Sequence, residues 1–308
     1  MKKAVVTGGA GFIGSHVVDE LVNRGYRVSV IDDLSSGRRE NLDSSTELFV
    51  ADISSPEARD WLKSQNPDVV VHAAAQISVR TSMENPPFDA HVNVEGLLNL
   101  LHAFGDGPFP HWVFISTGGA IYGEQDIHPA PEAHPVRPES IYGLSKRVGE
   151  IYLEFYERKF GLKWTALRLA NVYGPRQNPH GEAGVVAIFA QRLLAGETPR
   201  INGTGEQTRD FVFVKDVAKA VCDVAEKSVI GIYNIGTGVE TDVNELAAHI
   251  VSAVGCSTEI PHGPGLPGEQ MRSSIDAGLA HRTFEWKPTV AIGDGIRMTV
   301  DWFRSQAQ

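Results

Sequence analysis

Short runs of aliphatic and β-branched residues alternate with longer stretches of helical period through the first half of the chain. The pattern predicts strands at 3–7, 27–31, 47–51, 68–72, 112–116 and 164–169. Between them it predicts helices at 13–24, 56–64, 87–104 and 141–160. Gly25 stands where a helix stop belongs, and Pro56 suits a first helical turn. Strands that alternate with helices require right-handed crossovers, so the expected fold class is α/β with a doubly wound parallel sheet. The second half is less regular. A loop at 176–184, rich in Gly, Pro, Asn and His, has the composition of a functional loop. Then come a helix at 184–194, a turn at 203–207, a strand at 210–214 and a helix at 217–226. A strand at 231–235, a helix at 242–254, a Pro/Gly-rich surface loop at 257–268 and two helical pieces reaching 303 complete the prediction. No repeat and no linker divides the chain. The expected organisation is a large domain over 1–172, rejoined by about 210–238. A smaller lobe, interwoven with it, takes 173–209 and 239–308.

The chain has 308 residues, enough for a large core; 42% are hydrophobic and 21% charged, an ordinary globular balance. A net charge of −10 argues against nucleic acid and anionic membranes as main partners. No apolar stretch approaches a membrane span, and the run at 4–6 is too short for a signal core. The two cysteines, Cys222 and Cys256, belong to no Cys/His cluster, so no metal site is expected. Unpaired thiols and the lack of a leader point to the cytoplasm.

Chemistry concentrates in two places. The first is Thr7-Gly8-Gly9-Ala10-Gly11-Phe12-Ile13-Gly14, between the first strand and first helix. It offers two glycine registers, Gly9/Gly11/Gly14 and Gly8/Gly11/Gly14. Either lets backbone approach a pyrophosphate at a helix N-terminus, the dinucleotide-binding turn of a Rossmann fold. Asp32 ends the second strand, about 20 residues on, where a carboxylate accepts from both ribose hydroxyls and repels a 2′-phosphate. That favours NAD over NADP, with Arg38 and Arg39 as the opposing signal. The second place is Tyr142-Gly143-Leu144-Ser145-Lys146. Residues four apart share a helical face, so the Lys146 ammonium is expected to lower the Tyr142 pKa and prepare the phenol for proton transfer. The strand before that helix ends in the hydroxyls of Ser116 and Thr117, at the edge where such sheets bind ligands.

These motifs resemble the extended short-chain dehydrogenase/reductase superfamily, and within it the UDP-glucose (UDP-galactose) 4-epimerases. The resemblance runs through Thr7-Gly8-Gly9-Ala10-Gly11-Phe12-Ile13-Gly14-Ser15-His16, Asp32-Asp33-Leu34, Asp52-Ile53 and His72-Ala73-Ala74. It continues with Asn93, Ser116-Thr117, Ile121-Tyr122-Gly123 and the Tyr142–Lys146 motif. It ends with Asn171-Val172-Tyr173-Gly174-Pro175-Arg176, Arg209-Asp210-Phe211-Val212 and Asn234-Ile235-Gly236-Thr237-Gly238. It implies Tyr142 as acid/base, Lys146 as its tuning partner on the nicotinamide ribose, and Thr117 as a hydrogen-bond partner of the sugar. It places Gly8, Gly11, Phe12, Ile13, Gly14, Asp32, Asp33, Ser36, Gly37, Asp52 and Ile53 at the NAD site. Ala73, Ala74, Ala75, Asn93 and Ser116 join them there. Thr117, Gly118, Asn171, Arg176, Gly184, Val185, Arg209 and Arg272 would face a nucleotide-sugar, most simply a UDP-hexose. Homodimerisation through the 87–104 and 141–160 helices is also implied.

Three positions depart from the resemblance. Gly118 stands where many members carry a Ser, so Thr117 takes that role through a shifted turn. Gly265-Leu266-Pro267-Gly268-Glu269 replaces a Pro-Arg-x-Gly-Asp loop, which removes one diphosphate cation and leaves Arg272 to compensate. The segment 178–184 is a short lid with His180 and Glu182. The expected activity is NAD-dependent 4-epimerisation through a transient 4-keto sugar. The alternatives are a UDP-hexuronate 4-epimerase, a UDP-glucuronate decarboxylase and a 4,6-dehydratase. Dehydratases carry Asp-Glu after the Thr, where this chain has Gly118-Gly119. A non-catalytic NAD sensor would usually have lost Tyr142 or Lys146.

Overall fold

A computed structural model describes residues 1–180, 184–265, 268 and 270–306. In chain order the first half runs β1 (Lys3–Thr7), α1 (Phe12–Asn23), β2 (Arg27–Asp32), β3 (Glu47–Val50), α2 (Pro56–Gln65) and β4 (Val69–His72). It continues with α3 (Val79–Glu84), α4 (Pro86–Ala90), a π-helical stretch His91–Glu95, α5 (Gly96–His102), β5 (His111–Thr117), α6 (Gly118–Ile121), α7 (Ile141–Phe160) and β6 (Trp164–Leu169). The second half holds β7 (Asn171–Tyr173), α8 (Val185–Leu194), β8 (Ile201–Asn202), β9 (Thr208–Phe213), α9 (Val214–Lys227) and β10 (Gly231–Ile235). Last come β11 (Glu240–Asp242), α10 (Val243–Val254), β12 (His262–Gly263), β13 (Arg272–Ser273), α11 (Gly278–Phe284) and α12 (Ile292–Gln306).

The main sheet has seven strands in the order β10-β6-β5-β4-β1-β2-β3, all parallel. The doubly wound α/β architecture expected from the strand–helix alternation is the one observed. Successive residues of the inner strands face opposite layers. Ala4 and Val6 join one core with Val17, Leu21 and Val221, whereas Val5 joins the other with Leu62, Leu97 and Leu153. Both faces are therefore covered, which is why these strands read as near-continuous apolar runs. Helix α7 starts where Ser140 accepts a hydrogen bond from the Gly143 amide and stops at Gly161, whose φ of 72° is left-handed.

A second sheet sits across the C-terminal ends of the main strands. Its centre is β9, paired in parallel with β7 and β13 and antiparallel with β11. Helices α8, α10 and α12 cover it around Tyr173, Phe211, Phe213, Leu246 and Ile296. Ala280, Phe284 and Trp286 pack instead into the core of the main sheet. They lie within the 239–308 span that the sequence pattern assigns to the smaller lobe.

Short strands and helices that the sequence pattern does not predict are present (β7, β8, β11, β13, α3 and α6), and three predicted elements are redrawn. The helix expected over 87–104 is three pieces, α4, the π turn and α5. The loop expected over 257–268 contains β12, which pairs with β8. Strand 210–214 begins two residues earlier, because Thr208 and Arg209 pair with both β11 and β13.

Candidate active site

Strand order reverses between β1 and β4, so the crevice at their C-terminal ends is the topological switch point. Thr7 and His72 sit side by side there, with Thr7 Oγ1 and His72 Nδ1 3.0 Å apart. The turn after β1 settles the glycine register. Gly8 has φ +67°, and a Cβ on it would lie 2.6 Å from the Ala74 amide. A Cβ on Gly14 would lie 2.1 Å from the Gly8 carbonyl oxygen. The Gly11 amide donates to that same oxygen at 3.1 Å. Gly8, Gly11 and Gly14 therefore meet in the turn, while a Cβ on Gly9 would press on the Val30 side chain at 2.7 Å, so Gly9 serves the packing of the turn against β2.

Helix α1 begins at Gly11 with no side-chain cap and no acidic residue in its first turn. The amides of Phe12, Ile13 and Gly14 thus end in a positive helix terminus fit for a diphosphate. Asp32 is buried beside this turn and accepts from the Ala10 and Leu34 amides, both at 2.9 Å. Burial pushes its pKa up, against the pull of those amides. Gly37 packs so close that a Cβ would lie 2.7 Å from the Asp32 carboxylate. Asp33 caps the following turn by accepting from Ser35, and exposed Ser36 lies next to it. Arg39 is folded back on the carbonyls of Asp43 and Ser44 at 3.0 Å, which anchors it away from a 2′-phosphate role. Asp52 accepts from Ser54, and Ile53 packs under Gly96. The Ala73 and Ala74 amides donate to the carbonyl and hydroxyl of Thr7, and Ala75 follows them into the crevice wall. These features fit a dinucleotide with an unphosphorylated ribose.

The α7 N-terminus brings Tyr142 and Lys146 to the end of β5. Thr117 lies near enough to the Tyr142 phenol to favour its ionised form. Lys146 is buried, donates to the Ile115 carbonyl at 3.0 Å, and lies 5.9 Å from the Tyr142 ring centroid. Burial lowers the Lys146 pKa to about 8, against the opposing charges of Asp89 and Glu150. The phenol itself is pushed up to about 12, first by burial and then by Asp89, with Thr117 acting in the other direction. That corrects the sequence expectation of a lowered phenol. The ammonium is held by the Ile115 carbonyl of β5, and the charge that acts on the phenol is the negative one of Asp89.

The other expected site residues have the following partners. Ser116 turns into the core and donates to Glu150 at 2.8 Å. Asn93 lies in the π turn and brackets Gln76, donating to its carbonyl and accepting from its amide. Arg176 has φ +67° and pairs with Asp19 of α1 at 2.8 Å. Arg272 pairs with Glu240 at 2.5 Å and pulls that carboxyl down to about 2. Arg209 donates to the Thr208 carbonyl at 2.8 Å. Its neighbours Asp210 and Asp216 hold the backbone at Thr237, Gly238, Thr289 and Val290. Asn171 lies against the Thr117 turn, since a Cβ on Gly119 would come 3.2 Å from its Oδ1. Gly184 and Val185 start α8 beneath Gln177. Glu182, Leu266, Pro267 and Glu269 lie outside the described residues. Among the described residues no group of three or more His, Cys, Asp or Glu could hold a metal ion.

Sequence reasoning missed Asp89, Gln76, Ser82 and Glu150, all of which touch the Tyr142–Lys146 turn or its supports. A signal existed. Asp89 and Asn93 lie four apart and continue into the apolar stripe of Leu97, Leu100 and Leu101. On α7, Glu150 follows Lys146 by four on the face that carries Leu153. A charge on the buried stripe of a helix is a specific pointer.

Two adjoining sites, a dinucleotide crevice at the switch point and a Tyr/Lys pair on the next helix, define a nicotinamide-dependent enzyme of the short-chain dehydrogenase type. The chain belongs to the NAD-dependent epimerase/dehydratase family, whose sequence model matches residues 4–236. It is 45% identical over 312 residues to the UDP-glucose 4-epimerase of Mycolicibacterium smegmatis, covering 99% of this chain and 100% of that one. The crystal structure of the Thermotoga maritima UDP-glucose 4-epimerase with UDP-glucose superposes with a TM-score of 0.95 at 44% identity, covering 99% and 100% of the two chains. The Thermus thermophilus UDP-glucose 4-epimerase in complex with NAD gives a TM-score of 0.92, also at 44% identity, covering 98% and 99%.

Proposed function

We propose that this chain interconverts UDP-glucose and UDP-galactose through a 4-keto sugar, with Tyr142 as the proton carrier. The observation that carries the reading is Thr117 at the end of β5 followed directly by Gly118-Gly119, on the helix turn that packs against α7 with Tyr142. Elimination of water needs an acid and a base at the reacting sugar. A side chain at Gly118 would run into Ile275, whose Cδ1 lies 2.7 Å from the Cβ position, and Gly119 faces Asn171. The site is built to move one proton and to stop there.

Bound NAD supplies the hydride acceptor and a positive charge beside the phenol. Tyr142 takes the proton of the sugar 4-hydroxyl as the C4 hydrogen leaves with its electron pair. Thr117 keeps the phenol oxygen aimed at the sugar. The ketone would turn its other face to the cofactor, which would supply the returning hydride, and Tyr142 would give the proton back. Nothing is oxidised overall. On this reading Asn171, Arg209 and the α8 terminus at Gly184 and Val185 hold the nucleotide while the sugar turns. Incubation of the protein with UDP-glucose and a trace of NAD, followed by NMR, is expected to yield UDP-galactose with no accumulated NADH. A 4-keto-6-deoxy product would overturn the epimerase reading in favour of elimination. UDP-glucuronate offered separately is expected to stay unchanged, and a pentose from it would mark decarboxylation.

The same reading includes a second copy of this chain as partner. Leu144, Ile151 and Phe155 are exposed along one face of α7, with Met83 and Phe88 exposed on the adjoining α3 and α4. An apolar stripe on two packed helices suits a self-complementary helical interface. Light scattering is expected to show a dimer that Phe155→Lys with Ile151→Lys converts to monomer; an unchanged mass would remove this face as the interface. No helix among the described residues is long and apolar enough to cross a membrane. A cytoplasmic setting is supported by Cys222 and Cys256, both free thiols.

A further inference from the structure

Asp89 is fully buried on α4, at the junction of three segments of the site. Its Oδ1 accepts from the Ser145 hydroxyl at 2.5 Å, and Ser145 is the residue before Lys146. Its Oδ2 accepts from Gln76 Nε2 and from Asn93 Nδ2, both at 2.9 Å. Gln76 in turn donates to the Ser78 carbonyl at 2.9 Å and accepts from the Ser78 amide at 2.5 Å. Ser78 caps α3, and Ser82 of α3 accepts from the Tyr142 amide at 3.1 Å. Two routes therefore lead from one carboxylate to one helical turn, directly through Ser145 and indirectly through Gln76 and α3.

All three donors to this carboxylate are neutral, a hydroxyl and two amides. Glu150, the buried carboxylate on α7, is matched instead by Arg168 and Arg147. A buried carboxylate held by neutral donors is costly, and a neutral side chain of the same shape would cost less. The Asp89 charge favours the ionised form of Lys146.

We propose that Asp89 is a positioning residue that locks the Tyr142–Lys146 turn in place and supplies the counter-charge of the Lys146 ammonium. The inference rests on the assignment of Tyr142 and Lys146 to the chemistry. Its electrostatic part has a definite sign. The Asp89 charge raises both the phenol and the ammonium pKa, so its removal lowers both. The other groups facing this pair stay fixed. Glu150 on α7 is matched by Arg168 of β6, and His72 of β4 is held neutral by burial with a pKa near about 3. His91 of the π turn is exposed and engaged with Glu95 and Ser54.

Asp89→Asn tests the proposal, because it keeps the shape and Ser145 can accept where it now donates. Lys146 is expected to titrate lower by about one pH unit, followed by NMR of the lysine side chains in the purified protein. Both limbs of the pH–kcat profile are expected to move to lower pH. The fall in kcat should be about ten- to a hundredfold, part of the roughly 10²–10⁴-fold that a positioned acid–base supplies, with KM little changed. Ser145→Ala cuts the tether and keeps the charge, so kcat falls while the limbs stay put. Should Asp89→Asn not fold, Asp89→Ser is read in its place, with the same shift expected. A Lys146 titration and limbs that superpose on wild type would overturn the proposal, leaving Asp89 a core residue. Tyr142→Phe separates the two failures: an active Tyr142→Phe sinks the site assignment, whereas an inactive one beside an unmoved Asp89→Asn profile sinks the Asp89 role alone.

Discussion

Tyr142→Phe is expected to reduce turnover of UDP-glucose by about 10²–10⁴-fold, the contribution of a positioned general acid–base. The ring stays, and with it the packing of the α7 N-terminus, so KM and retention of NAD should hardly change. What is lost is the oxygen that Thr117 aims and that carries the proton in both directions. The effect therefore falls on kcat and kcat/KM together, the signature of an interaction made only in the transition state. The pH dependence sharpens the expectation. In the chain itself the phenol is pushed up to about 12 and the ammonium of Lys146 down to about 8. The phenol is thus protonated across neutral pH until a positive charge comes near it, and Lys146 begins to lose its proton just above neutrality. Activity should fall on the basic side as Lys146 deprotonates. A steady-state assay of product formation against pH, on wild type and Tyr142→Phe, checks both statements. A variant within tenfold of wild type would mean that another group moves the proton.

The largest effect on stability is expected from Arg168→Met. Glu150 is fully buried, and Arg168 of β6 grips it with two hydrogen bonds, Nε to Oε1 at 2.9 Å and Nη2 to Oε2 at 2.7 Å. The network extends through the Tyr122 hydroxyl, which accepts from Arg168 at 3.1 Å and donates to Asn234 at 2.7 Å. Methionine fills much of the volume but leaves Glu150 to Ser116 and the half-buried Arg147. Breaking such a pair from one side costs about 3–5 kcal/mol, because a charge remains buried without its partner. Denaturant unfolding should show that loss. Replacing both partners, Glu150→Leu with Arg168→Met, should restore most of it, since an apolar pair has no charge to strand. A cost below about 1 kcal/mol for the single change would place this pair with exposed ion pairs instead.

How much of this was legible before the structure depends on the range of the interactions. The six strands of the first half and α7 were readable because each buries a continuous face or a full helical stripe. Strands β7, β8, β11, β12 and β13 were not. Each is two or three residues long and carries no period, and each exists through a partner distant in the chain, as His262 beside Ile201 shows. The glycine turn, Asp32, Tyr142 and Lys146 were legible because their spacing is local. Asp89 was not, since its partners Gln76, Asn93 and Ser145 meet only after α4, the π turn and α7 have packed. The π turn itself, an extra residue in a helix, leaves no mark in the hydrophobic pattern. The direction of the Tyr142 shift was misread for a related reason. Spacing brings Lys146 onto the right face but says nothing of the Ile115 carbonyl that holds it or of Asp89 behind it.

The pairing of β9 with β7, β11 and β13 has an evolutionary consequence. The strands that carry Asn171, Arg209 and Arg272 come from three separate stretches of chain, and β11 adds a fourth, stitched between and after segments of the main sheet. No single cut excises this second sheet, and no single insertion grafts it elsewhere. A lineage built this way cannot trade substrate modules by recombination. It can only drift, loop by loop, while the sheet that binds the cofactor is inherited whole.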